Sequence, residues 1–193
     1  MTFSNIFNRF IFAASFVFIS FSLLAEPTLE EVVVSARKVD ESLQDVPIAM
    51  SVFTSSDIED AGIERPEDFI ALTPNVVMAN TVNVGDTLVT IRGLTSTRDA
   101  ESNFAFVVDG VLQTNPNAFN RELLDVAQIE VLKGPQGALY GRNATSGAIL
   151  ITTKAPSGES ENTAVVGMGV NNSSKLQYVN SGMLGDNVYT RFS

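Results

Sequence analysis

Short runs of alternating apolar and polar residues, separated by turn residues, recur along this chain and predict a domain rich in strands. The clearest runs are Leu88–Gly93, Phe104–Val108 and Ile129–Lys133. The pair Asp109-Gly110 directly follows the second run and predicts a two-residue hairpin, because glycine accepts the positive φ that such turns require. A further strand is expected over residues 46–53.

Helix signals between these runs are short. Hydroxyl N-caps and a closing glycine favour a helix over residues 54–61, and a proline in the first turn favours another over residues 66–72. Residues 119–126 also show helical spacing, with Leu123 and Leu124 pointing inward. Helices of this length need a sheet to pack on. The pattern therefore predicts an α+β fold.

The stretch from Ile129 to Lys154 places two apolar runs on either side of a glycine-rich centre. One helical turn is expected over residues 136–140, and Gly141 and Gly147 permit reversals that a side chain would hinder. A phosphate-binding loop is excluded, because Gly141 is followed by Arg142-Asn143 and not by lysine and a hydroxyl residue. The glycine spacing of a dinucleotide site is absent as well.

The first 25 residues have the features of an export signal. Arg9 is followed by an apolar run from Phe10 to Leu24 and then by the small residue Ala25. This order predicts a cleaved signal peptide over residues 1–25. A transmembrane helix is the alternative, but the run is shorter than the roughly 20 residues that cross a bilayer.

A β-branched run at Val32–Val34 follows the predicted cleavage site. It has two interpretations: the first strand of the domain, or a strand that is available to the sheet of another protein. Residues 39–44 are polar and are expected to form a tether.

Longer alternating runs with short polar turns begin after Pro156. They cover residues 163–170, 175–184 and 188–192. Such alternation is typical of an outer-membrane barrel, and a small additional sheet is the alternative. The barrels of large outer-membrane transporters have about 22 strands, so residues 158–193 would supply only the first strands of such a barrel.

Composition and net charge exclude several classes of function. The 193 residues suit one domain with short appendages, and the net charge of −10 lacks the basic surface of a nucleic-acid binder. The chain has neither cysteine nor histidine, so zinc and haem have none of their usual ligands. We therefore expect no metal, no cofactor, no nucleic-acid partner and no enzymatic activity.

Five motifs in order resemble the plug signature of TonB-dependent outer-membrane receptors. They are Glu31-Val32-Val33-Val34, Ile91-Arg92-Gly93, Val107-Val108-Asp109-Gly110-Val111, Ile129–Pro135 and Leu139–Asn143. The resemblance implies a small α+β plug domain with a mixed central sheet and short helices, followed by the first antiparallel strands of a transmembrane β-barrel. The implied order is a signal peptide (1–25), a TonB box and tether (26–44), the plug (45–157) and barrel strands (158–193).

The same resemblance implies roles for particular residues. The TonB box would consist of Glu30, Glu31, Val32, Val33, Val34, Ser35 and Ala36. In the family, two plug arginines pair with barrel glutamates. Arg92 and Lys133 take these positions, although lysine lacks the bidentate fork, and an ordinary exposed ion pair is the alternative for each. A second departure is Ser146-Gly147, where two glycines are common.

Polar loops are the candidates for ligand contact, with solvated turns as the alternative. The candidate residues are Asn80, Asn83, Arg98, Asp99, Asn103, Gln113, Asn115 and Asn117.

The implied function is energised uptake of a scarce ligand, such as a ferric siderophore, cobalamin or a saccharide, through the outer membrane of a Gram-negative bacterium. The implied partners are the periplasmic domain of TonB, the receptor's own barrel and the ligand, with the N-terminus in the periplasm. The chain would be the N-terminal part of a longer receptor. A free-standing periplasmic binding or adaptor module with a plug-like fold is the alternative.

Overall fold

The computed structural model describes residues 31–36, 38–80, 87–96, 101–115, 119–170, 173–185 and 188–193. The chain divides into two units, Met1–Glu31 and Val32–Ser193, and the second contains the fold. The strands are β1 Val33–Val34, β2 Glu41–Ser42, β3 Met50–Thr54, β4 Val76–Asn80, β5 Thr87–Ile91, β6 Leu94–Thr95, β7 Phe104–Val108, β8 Val111–Leu112, β9 Val126–Lys133, β10 Gly147–Thr153, β11 Glu161–Met168, β12 Ser174–Gly185 and β13 Val188–Phe192. The helices are α1 Ser55–Asp60, α2 Pro66–Ala71 and α3 Gly137–Tyr140.

The central sheet has five strands in the order β3-β9-β10-β7-β8. Strands β10 and β7 are parallel, whereas the other neighbours in this sheet are antiparallel. The sheet is therefore mixed, which confirms the expected α+β fold. The Asp109-Gly110 hairpin is also confirmed, because the two residues have φ angles of 47° and 79° and connect β7 to β8.

The two faces of the central sheet bury different cores. Ile129 and Val131 of β9 lie in the larger core, beneath α1, α2 and the sheet β4-β5-β6. Leu132 faces the opposite way, into a smaller core that includes Ala36 from the start of the described chain. The alternation along β9 predicted this division.

The predicted helix over residues 119–126 is wrong. Phe119 inserts edge-on among the rings of Phe69, Phe104 and Phe106, with centroid distances of 6.4, 5.2 and 5.0 Å. The backbone N–H of Leu123 donates to Glu64 O at 2.8 Å and not to the preceding turn. Long-range aromatic packing outweighs the weak helical preference of this stretch.

Two predicted strands begin later than expected. The strand predicted over 46–53 is observed over Met50–Thr54, after Pro47, which has no N–H to donate. The β-branched run near the start forms only the two-residue strand β1, which pairs antiparallel with β2. Strand β2 lies within the predicted tether, so this part of residues 39–44 is paired.

Strands β4 and β6 were not predicted. They lie on either side of β5 in a separate antiparallel sheet, with Val76 opposite Ile91 and Ile91 opposite Leu94. Leu94 of β6 is half exposed, and in β4 only Val76 and Met78 pack on the core. The sequences of β4 and β6 therefore show no clear alternation of apolar and polar residues. Partner strands and not local pattern define them.

The three strands β11, β12 and β13 form an antiparallel sheet, as expected from their alternation. Along β12, Leu176 and Tyr178 are exposed, whereas Lys175, Gln177 and Val179 point the other way.

Candidate functional site

Residues 32–36 of the predicted TonB box lie against the central sheet. We call these residues the N-terminal segment; Glu30 lies outside the described residues and Glu31 is exposed. Val34 is 1% exposed and Ala36 is fully buried, whereas Val33 is 49% exposed. The segment is thus docked by two apolar side chains although its strand pairing covers only two residues.

Three side chains hydrogen-bond the backbone of the N-terminal segment. Gln128 Nε2 donates to Val33 O at 3.0 Å, and Tyr140 OH donates to Ala36 O at 2.8 Å. The N–H and the hydroxyl of Ser35 both donate to Glu130 Oε1, at 3.0 and 3.2 Å. Gln128 and Glu130 come from β9 and Tyr140 ends α3, so two of the three side chains belong to the glycine-rich stretch from Ile129 to Lys154.

Glu130 is a buried carboxylate in this contact, with 2% of its surface exposed. Its Oε1 accepts from Ser35 and, at 3.2 Å, from Gln128 Nε2, whereas Oε2 has no hydrogen-bond partner among the described residues. Burial raises the pKa of Glu130, and nearby Asp40 raises it further, while the hydrogen bonds from Ser35 and Gln128 act in the opposite direction. Desolvation therefore outweighs the hydrogen bonds.

This raised pKa predicts a pH dependence of stability. The contribution of Glu130 is fully present below the ordinary glutamate pKa of about 4.3 and is lost as the pH rises through the raised value. Between about pH 4 and pH 7, the free energy of unfolding of the native chain should therefore fall relative to that of Glu130→Gln. The acid-sensitive cap Asp57, whose pKa is lowered by hydrogen bonds from Thr54, is common to both proteins and cancels. Urea unfolding at several pH values measures both free energies. A difference between the native chain and Glu130→Gln that stays constant across this pH range would contradict the prediction.

Tyr140 connects the segment to the smaller core. Burial, aided by the charge of Glu130, raises the pKa of Tyr140 to about 12. Its hydroxyl therefore remains a donor to Ala36 O at physiological pH. The Lys38 ammonium lies 5.6 Å from the centre of the Tyr140 ring, within the range of a cation–π contact.

Arg92 and Lys133 lie close together. A side chain at Gly134 would come within 3.0 Å of the Arg92 guanidinium, which places Arg92 over the residue that follows Lys133. Lys133 Nζ donates to Ser51 Oγ at 3.0 Å and to Pro74 O at 3.4 Å. Burial, with a contribution from the charge of Arg92, lowers the pKa of Lys133. In the described part of the chain, neither cation has a carboxylate partner.

The candidate ligand residues fall in different settings. Asn83, Arg98, Asp99 and Asn117 lie outside the described residues. Asn80 is exposed at the end of β4, and Asn115 is exposed beyond β8. Gln113 Nε2 donates to Val111 O at 3.2 Å.

Asn103 is used within the domain. Its amide oxygen accepts from Ser96 Oγ at 2.8 Å and from Ser146 Oγ at 3.1 Å. Ser146, one of the two departures noted in the sequence, is 1% exposed and gains this bond from its hydroxyl.

An ionic cluster that sequence reasoning missed joins the C-terminal sheet to the rest of the fold. Arg191 of β13 forms a bidentate pair with Asp125, and its Nη1 lies 2.8 Å from Glu161 Oε2 of β11. The side chains of Arg191 and Asp125 are each 7% exposed. Lys175 of β12 similarly contacts Glu64 and Glu122, at 3.0 and 3.4 Å. The only signal of these contacts in the sequence is that Arg191 and Lys175 lie on the less exposed side of their alternating strands.

The described residues contain no group of three or more acidic side chains able to hold a metal ion. Nor does any helix in the described ranges have the length and apolar character needed to cross a membrane.

The mixed sheet, the docked N-terminal segment and the attached antiparallel strands define a plug-type domain. The chain belongs to the TonB-dependent receptor plug domain family, whose model matches residues 42–148. This finding confirms the resemblance on which the sequence interpretation depends.

Relatives and solved structures agree with this assignment. The chain is 31% identical over 132 residues to the pesticin receptor of Yersinia enterocolitica, covering 68% of this chain and 19% of the relative. It is 32% identical over 148 residues to the vitamin B12 transporter BtuB of Vibrio vulnificus, covering 74% and 23%. The chain thus spans about a fifth of the length of these relatives.

Two solved structures show the same fold. The ferric yersiniabactin uptake receptor FyuA from Yersinia pestis aligns with a TM-score of 0.68 at 28% identity, over 74% of this chain and 23% of that one. The pyoverdine outer membrane receptor FpvA from Pseudomonas aeruginosa aligns with a TM-score of 0.70 at 20% identity, over 82% and 23%, a likeness of fold alone.

Proposed function

We propose that this chain is the N-terminal part of an outer-membrane receptor that takes up a scarce ligand with energy supplied through TonB. Residues 45–157 form its plug and residues 26–44 carry the TonB box and tether. The observation that carries the proposal is the N-terminal segment, whose two-residue strand is docked on the plug but retains few ladder bonds. Such a strand can leave its sheet and add to that of a partner.

Replacing Val33 by proline tests this proposal. Proline removes a backbone donor and fits poorly in an added strand, so Val33→Pro should weaken binding of the periplasmic domain of TonB at least tenfold in a pull-down or calorimetric titration. Val39→Pro is the matched control, since Val39 is 60% exposed and lies outside residues 30–36. Unchanged binding by Val33→Pro would refute the assignment of the TonB box.

The proposed barrel strands are β11, β12 and β13, within residues 158–193. Their outward side chains include Val166, Met168, Leu176 and Leu184, which are 72%, 91%, 78% and 77% exposed. An apolar surface of this kind suits contact with lipid. It supports an outer-membrane location and argues against a free-standing periplasmic module.

Arg92 and Lys133 are the proposed lock between plug and barrel. Two cations held close together without a carboxylate in the described part of the plug repel each other. Barrel glutamates would supply the missing negative charge.

The ligand is proposed to bind over the exposed polar loops. The relatives include proteins named for pesticin, vitamin B12 and ferric yersiniabactin, so a metal chelate or a comparable small molecule is the proposed ligand class. Asn80, Gln113 and Asn115 remain candidates among the described residues.

A further inference from the structure

We propose that a groove beside Phe119 binds a small molecule that carries an apolar ring and a carboxylate. The Phe119 groove lies between strands β7 and β10 and residues 119–126, and its volume is about 340 Å³. The inference rests on the proposed function only in treating this molecule as part of the ligand that the receptor takes up. It names a chemical class for that ligand and adds residues outside the polar loops.

The size of the Phe119 groove suits a small molecule and not a protein strand. Small-molecule sites in proteins commonly measure about 300 to 1,000 Å³, and an apolar cavity of about 150 Å³ holds one benzene ring. A groove of about 340 Å³ therefore suits a group of about two fused rings.

The floor of the groove is apolar and preformed. Phe106 and Phe119 line it and are 7% and 3% exposed, and their rings meet edge to face with centroids 5.0 Å apart. Val126 and Ile151 add buried aliphatic surface. Contact with such a surface contributes roughly 25 cal/mol for each Å² of apolar ligand that leaves water. The floor therefore selects an apolar group but does not select its charge.

Arg121 gives the groove its preference for an anion. It lines the groove and is exposed, and its guanidinium has neither an ion pair nor a hydrogen bond within the described part of the chain. Glu122 also lines the groove, but its carboxylate pairs with Lys175 at 3.4 Å. The unmatched charge is therefore positive. A guanidinium binds a carboxylate through two parallel hydrogen bonds, so a carboxylate on the ring complements the groove.

Gln113 connects the groove to the proposed ligand surface. It is one of the candidate ligand residues, and it also lines this groove. Its backbone N–H donates to Phe106 O at 2.7 Å, and its Nε2 donates to Val111 O at 3.2 Å. These bonds hold Gln113 beside β7, while its side-chain oxygen has no partner among the described residues. A ligand bound over the loop after β8 would therefore reach the groove without a break.

Calorimetric titration with naphthoate tests the groove, because this anion consists of two fused rings and one carboxylate. The titration uses the full chain in detergent micelles, with protein-free micelles as the blank. The neutral amide naphthamide has nearly the same shape without the charge and is the matched probe. We expect both probes to bind, and naphthoate to bind more tightly.

We expect Arg121→Gln to weaken naphthoate binding about three- to tenfold, the effect of losing one charge-assisted contact at an exposed site. Binding of naphthamide should not change, because it does not depend on the positive charge. Arg65→Gln is the matched control. The Arg65 guanidinium is likewise exposed and unpaired within the described residues, but Arg65 does not line the groove. Its loss should leave the affinity for both probes unchanged.

Leu124→Ala tests the apolar wall of the groove. Leu124 lines the groove and is 42% exposed, so its truncation should weaken binding of both probes about two- to fivefold through lost apolar contact. Leu72→Ala is the control, since Leu72 is 54% exposed and does not line the groove. It should leave the affinity for both probes unchanged.

Three results would overturn the proposal. The first is naphthoate binding no greater than that of protein-free micelles. The second is an equal loss of naphthoate affinity in Arg121→Gln and Arg65→Gln, because the anion would then respond to the net charge of the chain and not to this groove. The third is an equal loss of both probes in Arg121→Gln, because the guanidinium would then not act as a partner for the carboxylate.

Binding to TonB separates the groove from the proposed function. Naphthoate binding that depends on Arg121, in a chain that does not bind the periplasmic domain of TonB, would support the groove and refute the proposed energy source. Binding of TonB by a chain that does not bind naphthoate would refute only the groove.

Discussion

Gly147→Ala should destabilise the protein more than alanine at any other glycine in the described strands. A Cβ at Gly147 would lie 2.3 Å from the backbone oxygen of Leu132 in β9 and 3.2 Å from Ile91 Cδ1 in β5. Neither neighbour can move freely, because Leu132 is paired within the sheet and both residues are fully buried. We expect a loss of about 3 kcal/mol in the free energy of unfolding, at the upper end of overpacking effects.

Urea unfolding in detergent micelles measures this loss, and Gly182→Ala is its control. Gly182 also lies in a strand, β12, but a Cβ there meets no atom of the described residues within 4 Å. Gly182→Ala should change the free energy of unfolding by under about 0.5 kcal/mol. Equal stability of Gly147→Ala and the native chain would show that β9 and β10 can separate without loss, contrary to their observed packing.

Asp125→Asn should loosen the C-terminal sheet from the plug. The substitution preserves shape and also tolerates the positive φ of 55° at this position, but it removes the charge that pairs with Arg191. Both side chains are nearly buried, while Glu161, the third member, is 42% exposed. We therefore expect a loss of about 2 kcal/mol, between the values typical of exposed and of fully buried pairs.

Denaturant unfolding followed by tyrosine fluorescence would measure the effect of Asp125→Asn, because two of the three tyrosines, Tyr178 and Tyr189, lie in the C-terminal sheet. Glu101→Gln is the matched control, because Glu101 pairs with Arg142 at 2.7 Å while both side chains are mostly exposed. It should cost under about 0.5 kcal/mol. If the two variants lose the same stability, the Asp125–Arg191 pair does not join the sheet to the plug.

The ionic cluster changes the picture of how the plug is held. The family resemblance implied a lock made by Arg92 and Lys133 with the barrel. The structure adds two further contacts with the adjoining strands: Asp125 forms an ion pair with Arg191, and Glu64 and Glu122 form ion pairs with Lys175. These contacts involve strands within this chain.

The strands of the central sheet were predictable because each carries its own alternation. In β9, Ile129 and Val131 face one core and Leu132 the other, as the pattern indicated. Helices α1 and α2 were also predicted to within a residue or two. Thr54 caps α1 through a reciprocal bond with Asp57, and Pro66 opens α2, and both signals are local.

The predictions from sequence failed where contacts with distant residues decide the backbone conformation. Residues 119–125 are not helical because Phe119 fills a gap among three other phenylalanines, and that gap exists only after the sheet forms. Strand β4 depends on β5 as its partner, and β2 depends on β1.

The sequence by itself determined the family, the α+β class, the strand faces and the position of the N-terminal segment, since these follow from local periodicity, turn residues and ordered motifs. Tertiary structure alone decided that Glu130, 95 residues from Ser35, would bind the segment's backbone, and that Arg191 would bind Asp125. The physical reason is that hydrogen bonds and buried charges depend on distances between remote parts of the chain, and folding sets those distances.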